Sequence, residues 1–154
     1  MILPPYRIAD SRIPGAGKGL FLQVPVARGR VIVAPDDIRG TQRWEQVRAR
    51  PDAEAAMAAS VRWFEDQCTV SLDWPDECYV NHSFEPNGLW HLGFIFAARD
   101  LAAGEELTVD YRHLLPEGEV EVFRDAGSGR EIVGFSWAES LARSSRALLA
   151  LQAA

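Results

Sequence analysis

Three side chains of this sequence could do chemistry together. Asn81 and His82 put a carboxamide next to an imidazole within Tyr79-Val80-Asn81-His82-Ser83-Phe84-Glu85-Pro86-Asn87, and Tyr111 ends the stretch Gly104-Glu105-Glu106-Leu107-Thr108-Val109-Asp110-Tyr111. An imidazole beside an amide can serve as a general base with an orienting partner. With Cys78 and Glu77 the same histidine makes a poor zinc shell, because catalytic zinc takes three protein ligands in one tetrahedron. Neither reading has its full set of residues, and a half-buried, hydrogen-bonded histidine is the simplest alternative; no metal site is assigned. Leu107, Val109 and Tyr111 alternate with Thr108 and Asp110 as in a strand, which taken alone describes a core tyrosine with its hydroxyl satisfied nearby.

A fourth element is main chain rather than side chain. In Gly15-Ala16-Gly17-Lys18-Gly19-Leu20-Phe21 the glycines allow positive φ and a close approach of N–H and C=O groups to a small ligand, or simply a tight turn between strands. A dinucleotide fold requires a helix to open at such glycines, whereas Leu20-Phe21-Leu22-Gln23-Val24-Pro25 continues as a strand. A phosphate loop requires Ser or Thr after Gly17-Lys18 and a glycine five residues before Gly17; this chain has Gly19 and Arg12 there.

The elements that must position these groups can be read from pattern and punctuation. Residues 6–33 are short apolar pieces broken by Pro14, Gly15, Gly17, Gly19, Pro25 and Gly29, which predicts short strands joined by turns. Residues 41–64 are rich in Ala, Arg, Glu and Gln and predict one or two helices with a break at Pro51-Asp52. Residues 68–72 and 89–98 are strand candidates on either side of Asn81-His82, and 100–106 reads as a turn. Residues 119–123 and 130–135 predict a hairpin around Gly127-Ser128-Gly129. Ser136 followed by Glu139 is a capping box, so a terminal helix starts near Trp137, with Leu141, Leu148, Leu149 and Leu151 roughly on its apolar face.

Composition narrows the class. The chain has 154 residues, 47% hydrophobic and 25% charged, which suits one globular domain. A net charge of −6 argues against nucleic acid as a partner and for a basic one. No apolar run approaches a membrane span, and the first ten residues lack the apolar stretch of a signal peptide, so a soluble, cytoplasmic protein is expected. Cys68 and Cys78 are expected as reduced thiols. Fifteen arginines stand against one lysine, Lys18, which reads first as compositional bias.

The three segments, in this order, resemble the signature segments of the SET-domain protein lysine methyltransferases, and the resemblance covers about residues 6–115. It implies a mostly β fold with α insertions: several small antiparallel sheets, a helical insert at 41–64, a pseudoknot-like C-terminal threading and a terminal helix. Residues 1–115 would form the SET domain and 116–154 a hairpin and helix that complete it. It also implies S-adenosylmethionine as cofactor, met by Ala16, Gly17 and Lys18 largely through main chain and by Asn81 and His82, with Tyr111 as the catalytic tyrosine. The partner would be a protein or peptide presenting lysine. Phe84 stands where many relatives have cysteine and no Cys-rich tail follows Tyr111, so a zinc cluster is not expected and residues 119–154 must close the site otherwise, with Phe123, Phe135 and Trp137 as candidates to stack on adenine. Tyr79 and Trp90 could wall a lysine channel or simply pack in the core.

Two other functions fit the same residues less well. One is a non-catalytic SET-like module that binds a protein tail, against which the intact Asn81, His82 and Tyr111 argue. The other is a methyltransferase acting on a small amine.

Overall fold

The computed structural model describes residues 1–35 and 40–153. Its strands are short, and they are grouped in five small sheets. β1 (Tyr6–Asp10) and β2 (Lys18–Leu22) pair antiparallel from Tyr6↔Leu22 to Asp10↔Lys18, and the glycine segment makes the turn between them. Gly15 and Gly17 sit there at φ 81° and 70°, a region that side-chain-bearing residues avoid. Leu20, Phe21 and Leu22 in succession are buried, so β2 lies inside the molecule on both faces.

Residues 41–64 are only partly helical. β4 (Gln42–Arg43) leads into α1 (Trp44–Arg48); after the break around Pro51, α2 (Ala53–Ala58) gives way to β5 (Ser60–Phe64), and β6 (Gln67–Val70) completes a sheet of order β4-β6-β5. The helical expectation fails from Ser60 onward, where Val61, Trp63 and Phe64 favour a pleated strand over a helix. Trp44, Val47, Ala56 and Cys68 form a small core of the insert.

The aromatic run at 89–98 is a hairpin rather than one strand: β8 (Gly88–His91) and β9 (Phe94–Ala97) turn at Leu92 and Gly93, both at positive φ, as a two-residue hairpin turn requires. β9 is the middle strand between β8 and β3 (Val31–Val33). The main core lies beneath, where Leu20, Leu22, Ile32, Ile95, Leu107 and Val109 are buried together. Burying each such side chain contributes roughly 1.5–3 kcal/mol.

Two very short strands matter most. β7 (Asn81–His82) and β10 (Thr108–Val109) pair in parallel, Thr108 opposite Asn81 and Val109 opposite His82. This joins the Asn-His segment to the one ending in Tyr111. A 3₁₀ turn, Tyr111–His113, follows at once.

The C-terminal hairpin forms as predicted, from β11 (Val120–Arg124) and β12 (Glu131–Val133). Helix α3 (Trp137–Gln152) starts at Ser136, whose hydroxyl accepts the Glu139 N–H at 3.1 Å; the Glu139 carboxylate bonds Arg143 instead of closing the box. The predicted apolar face needs correction as well. Leu149 is 72% exposed, and the helix docks through buried Ser140 and Ser144, which meet His113 Nδ1 at 2.8 Å and His91 Nδ1 at 2.9 Å.

Candidate functional site

Parallel pairing of β7 with β10 leaves the Asn81 amide facing the end of β1 and the start of β2. Its Nδ2 donates to the Lys18 carbonyl at 2.9 Å, to Glu106 Oε1 at 3.0 Å and to the Ser11 hydroxyl at 3.3 Å. Glu106 in turn accepts from Ser11 Oγ at 2.6 Å and from the Arg12 N–H at 2.8 Å. Ser11 N–H also donates to the Gly17 carbonyl at 2.9 Å, and Ala16 N–H to that of Ile13 at 3.1 Å. The glycine turn is thus folded on itself and fastened to Asn81. Lys18 takes part through its main chain, while its ammonium pairs with Asp10 at 2.6 Å on the surface.

His82 occupies the other side of the strand. Its ring is buried rather than half-buried, and Nδ1 accepts the Tyr111 N–H at 3.1 Å. Burial lowers its pKa below the usual imidazole value, against the opposing pull of Asp110 and Asp125, so the neutral ring is favoured. The Tyr111 phenol donates to the Val80 carbonyl at 2.8 Å, one residue before Asn81, and its ring centre lies 5.4 Å from that of His82. Its pKa is raised, first by burial and then by Glu121 and Cys78, so the hydroxyl keeps its proton at neutral pH. Lys18, Asn81, His82 and Tyr111 therefore converge as the sequence suggests, with Gly17 joined to them through Ser11.

A concavity of about 520 Å³ opens beside this cluster. Arg12, Ile13 and Pro14 of the glycine turn form one wall, His82 to Glu85 another, and Asp125 to Ser128 with Arg130, at the tip of the C-terminal hairpin, a third. Phe84 packs edge-on against His82 at 4.8 Å and carries the guanidinium groups of Arg112 and Arg130 at 4.5 and 4.9 Å. Of the C-terminal aromatics, Phe123 meets the Tyr111 ring edge-on at 6.2 Å, and Phe135 lies buried on His113. Tyr79 and Trp90 both pack on the main core.

Sequence reasoning passed over Ser11, Glu106 and Asp125. Glu106 had a signal, since a carboxylate directly before the buried Leu107 must be hydrogen-bonded if it is drawn inside. Ser11 and Asp125 had none, because their partners lie 95 and 43 positions away, at Glu106 and His82.

The family model for the SET domain matches residues 17–112, and the chain belongs to that family, whose members are in general protein lysine methyltransferases. No curated protein sequence matches it. Among solved structures it is similar to an active polycomb repressive complex 2 in the basal state, with TM-score 0.58 and 17% identity over 70% of this chain and 15% of that one. It is also similar to the Chaetomium thermophilum polycomb repressive complex 2, with TM-score 0.54 and 20% identity over 70% of this chain and 15% of that one. At such identities the likeness shows the fold, and the chain spans about a seventh of the length of those it matches. Among the described residues, no helix is long and apolar enough to cross a membrane.

Proposed function

We propose that this protein transfers a methyl group from S-adenosylmethionine to the side-chain amine of a lysine in a protein or peptide. The observation that carries the reading is the convergence at β7: Asn81 bonds the Lys18 main chain while the Tyr111 phenol bonds the Val80 carbonyl, one residue away.

The residues present fit the cofactor. Gly15 and Gly17 have nothing within 4 Å of the position a Cβ would take, so their main chain is bare. His82 Nε2 is buried without a hydrogen-bond partner beside a concavity of about 520 Å³, within the range of small-molecule sites. When bound, the cofactor supplies an electrophilic methyl on a sulfonium. Ala16, Gly17 and Lys18 would meet it through main chain, and Asn81 and His82 would hold it on the opposite wall.

What remains for the protein is positioning and desolvation. Lysine, with a reference pKa near 10.4, is almost wholly protonated at neutral pH, and an apolar approach favours the neutral amine. Tyr111, protonated and half-buried, orients the amine through its hydroxyl rather than taking its proton. The net charge of −6 suits a basic, lysine-bearing partner. Titration calorimetry with S-adenosylmethionine, followed by mass spectrometry of peptides and small amines incubated with labelled cofactor, tests the reading. Saturable binding and label on lysine support it; a folded protein that binds no cofactor contradicts it.

A further inference from the structure

The tip of the C-terminal hairpin reaches His82. A main-chain N–H can only donate, so the 3.1 Å contact from Tyr111 requires the lone pair of His82 on Nδ1. In the neutral ring the proton then sits on Nε2, which is buried and has no hydrogen-bond partner. The group that faces it is Asp125, whose Oδ1 lies 3.6 Å away and whose side chain is itself only 7% exposed. The other oxygen of that carboxylate, Oδ2, accepts both the N–H and the hydroxyl of Ser128 at 2.6 Å. The carboxylate is therefore held by its own turn, with one oxygen left for the imidazole. An approach of about 0.5 Å brings the pair into hydrogen-bond range.

We propose that Asp125 is a positioning residue that fixes His82 in the tautomer protonated on Nε2, and that it thereby anchors the main chain of Tyr111 from the hairpin. The proposal rests on the methyltransferase reading for its consequence, the placement of the Tyr111 phenol, but not for its geometry. It also gives the 125–130 turn a task in a chain without a Cys-rich tail: Asp125 closes on His82 while Arg130 closes on Phe84 at 4.9 Å.

Asp125→Asn separates this role from that of a local turn residue. The amide has a single oxygen, and the two donors of Ser128 claim it. Its NH₂ then faces His82 Nε2, which disfavours a proton there and frees the ring to invert, removing the acceptor from Tyr111. Ser128→Ala loosens the turn but leaves an oxygen facing the ring.

The test is ¹⁵N NMR of the histidine rings together with hydrogen exchange of the Tyr111 amide, on wild type and both variants. The expected wild-type ring carries its proton on Nε2, and the Tyr111 amide is protected. Asp125→Asn should invert the ring or speed Tyr111 exchange at least about tenfold, as loss of one hydrogen bond allows, while Ser128→Ala keeps the wild-type pattern. A wild-type ring protonated on Nδ1, or an Asp125→Asn protein with unchanged tautomer and protection, overturns the proposal. Cofactor calorimetry on the same samples separates the two readings, since a wild type that binds no S-adenosylmethionine defeats the functional assignment while the tautomer result stands by itself.

Discussion

Glu106 Oε1 lies 3.0 Å from the Asn81 amide, and the same carboxylate takes the Ser11 hydroxyl and the Arg12 N–H, so one anion fastens the glycine turn to the β7–β10 pair. Glu106→Ala leaves three donors to find other partners, one of them a main-chain N–H. A loss of about 3 kcal/mol in unfolding free energy is expected, at roughly 1 kcal/mol per bond. Urea denaturation measures it, and cofactor affinity should fall with it because Asn81 loses its orientation.

Gly19 and Gly17 should respond differently to alanine. A Cβ on Gly19 would run into the Glu106 carboxylate, which its three bonds hold in place; a Cβ on Gly17 meets nothing within 4 Å but inherits φ 70°. Gly17→Ala is expected to cost about 1 kcal/mol through backbone strain alone. Gly19→Ala should cost more than that and should mimic Glu106→Ala in cofactor binding. Paired urea and calorimetry curves compare them.

Arg62 is 2% exposed, and its guanidinium donates to the carbonyls of His113, Phe135 and Arg112 at 3.1, 2.8 and 3.4 Å. One side chain of β5 thus ties the insert to the turn after Tyr111 and to the residue before α3. Arg62→Ala opens a cavity and strands those carbonyls, and a loss of about 3–5 kcal/mol is expected. Arg62→Lys should recover only part of it, because an ammonium cannot reproduce the guanidinium fork.

Acid should weaken the fold well above the carboxylate range. Burial pushes the His113 pKa from 6.5 to about 4, helped by Arg62, Arg112 and Arg143 and opposed by Asp110. The unfolded chain therefore binds more protons than the native one between these values. Stability is full above pH 6.5 and falls as pH drops toward about 4, by roughly 3 kcal/mol for this group alone. His82 and His91 are lowered as well and act in the same direction. Urea midpoints measured from pH 7.5 to 4.5 should fall steadily, and His113→Gln should flatten the slope.

How much of this was legible in the sequence differs between fold and site. The glycine turn, the break at Pro51, the C-terminal hairpin and the start of α3 follow from local chemistry, and local chemistry is what punctuation reports. The run at 89–98 conceals a hairpin because its turn is Leu92-Gly93, where only the glycine is a turn residue by type. Ser60 to Phe64 looks helical by continuation from the alanine-rich stretch, and becomes a strand because β6 pairs with it. Asn81, His82 and Tyr111 were legible as a spaced set, and their meeting depends on the parallel pairing of two two-residue strands, which no periodicity can reveal. The face of α3 misled for a related reason, since its serines are buried to meet His113 and His91, histidines from distant parts of the chain.

The most direct test of the account is the rate of methyl transfer by Tyr111→Phe, measured with labelled S-adenosylmethionine on a lysine peptide that the wild type modifies. Loss of the hydroxyl that orients the amine should lower the rate about a hundredfold or more, with cofactor affinity and unfolding midpoint close to wild type. A Phe variant that transfers methyl at the full rate would contradict it.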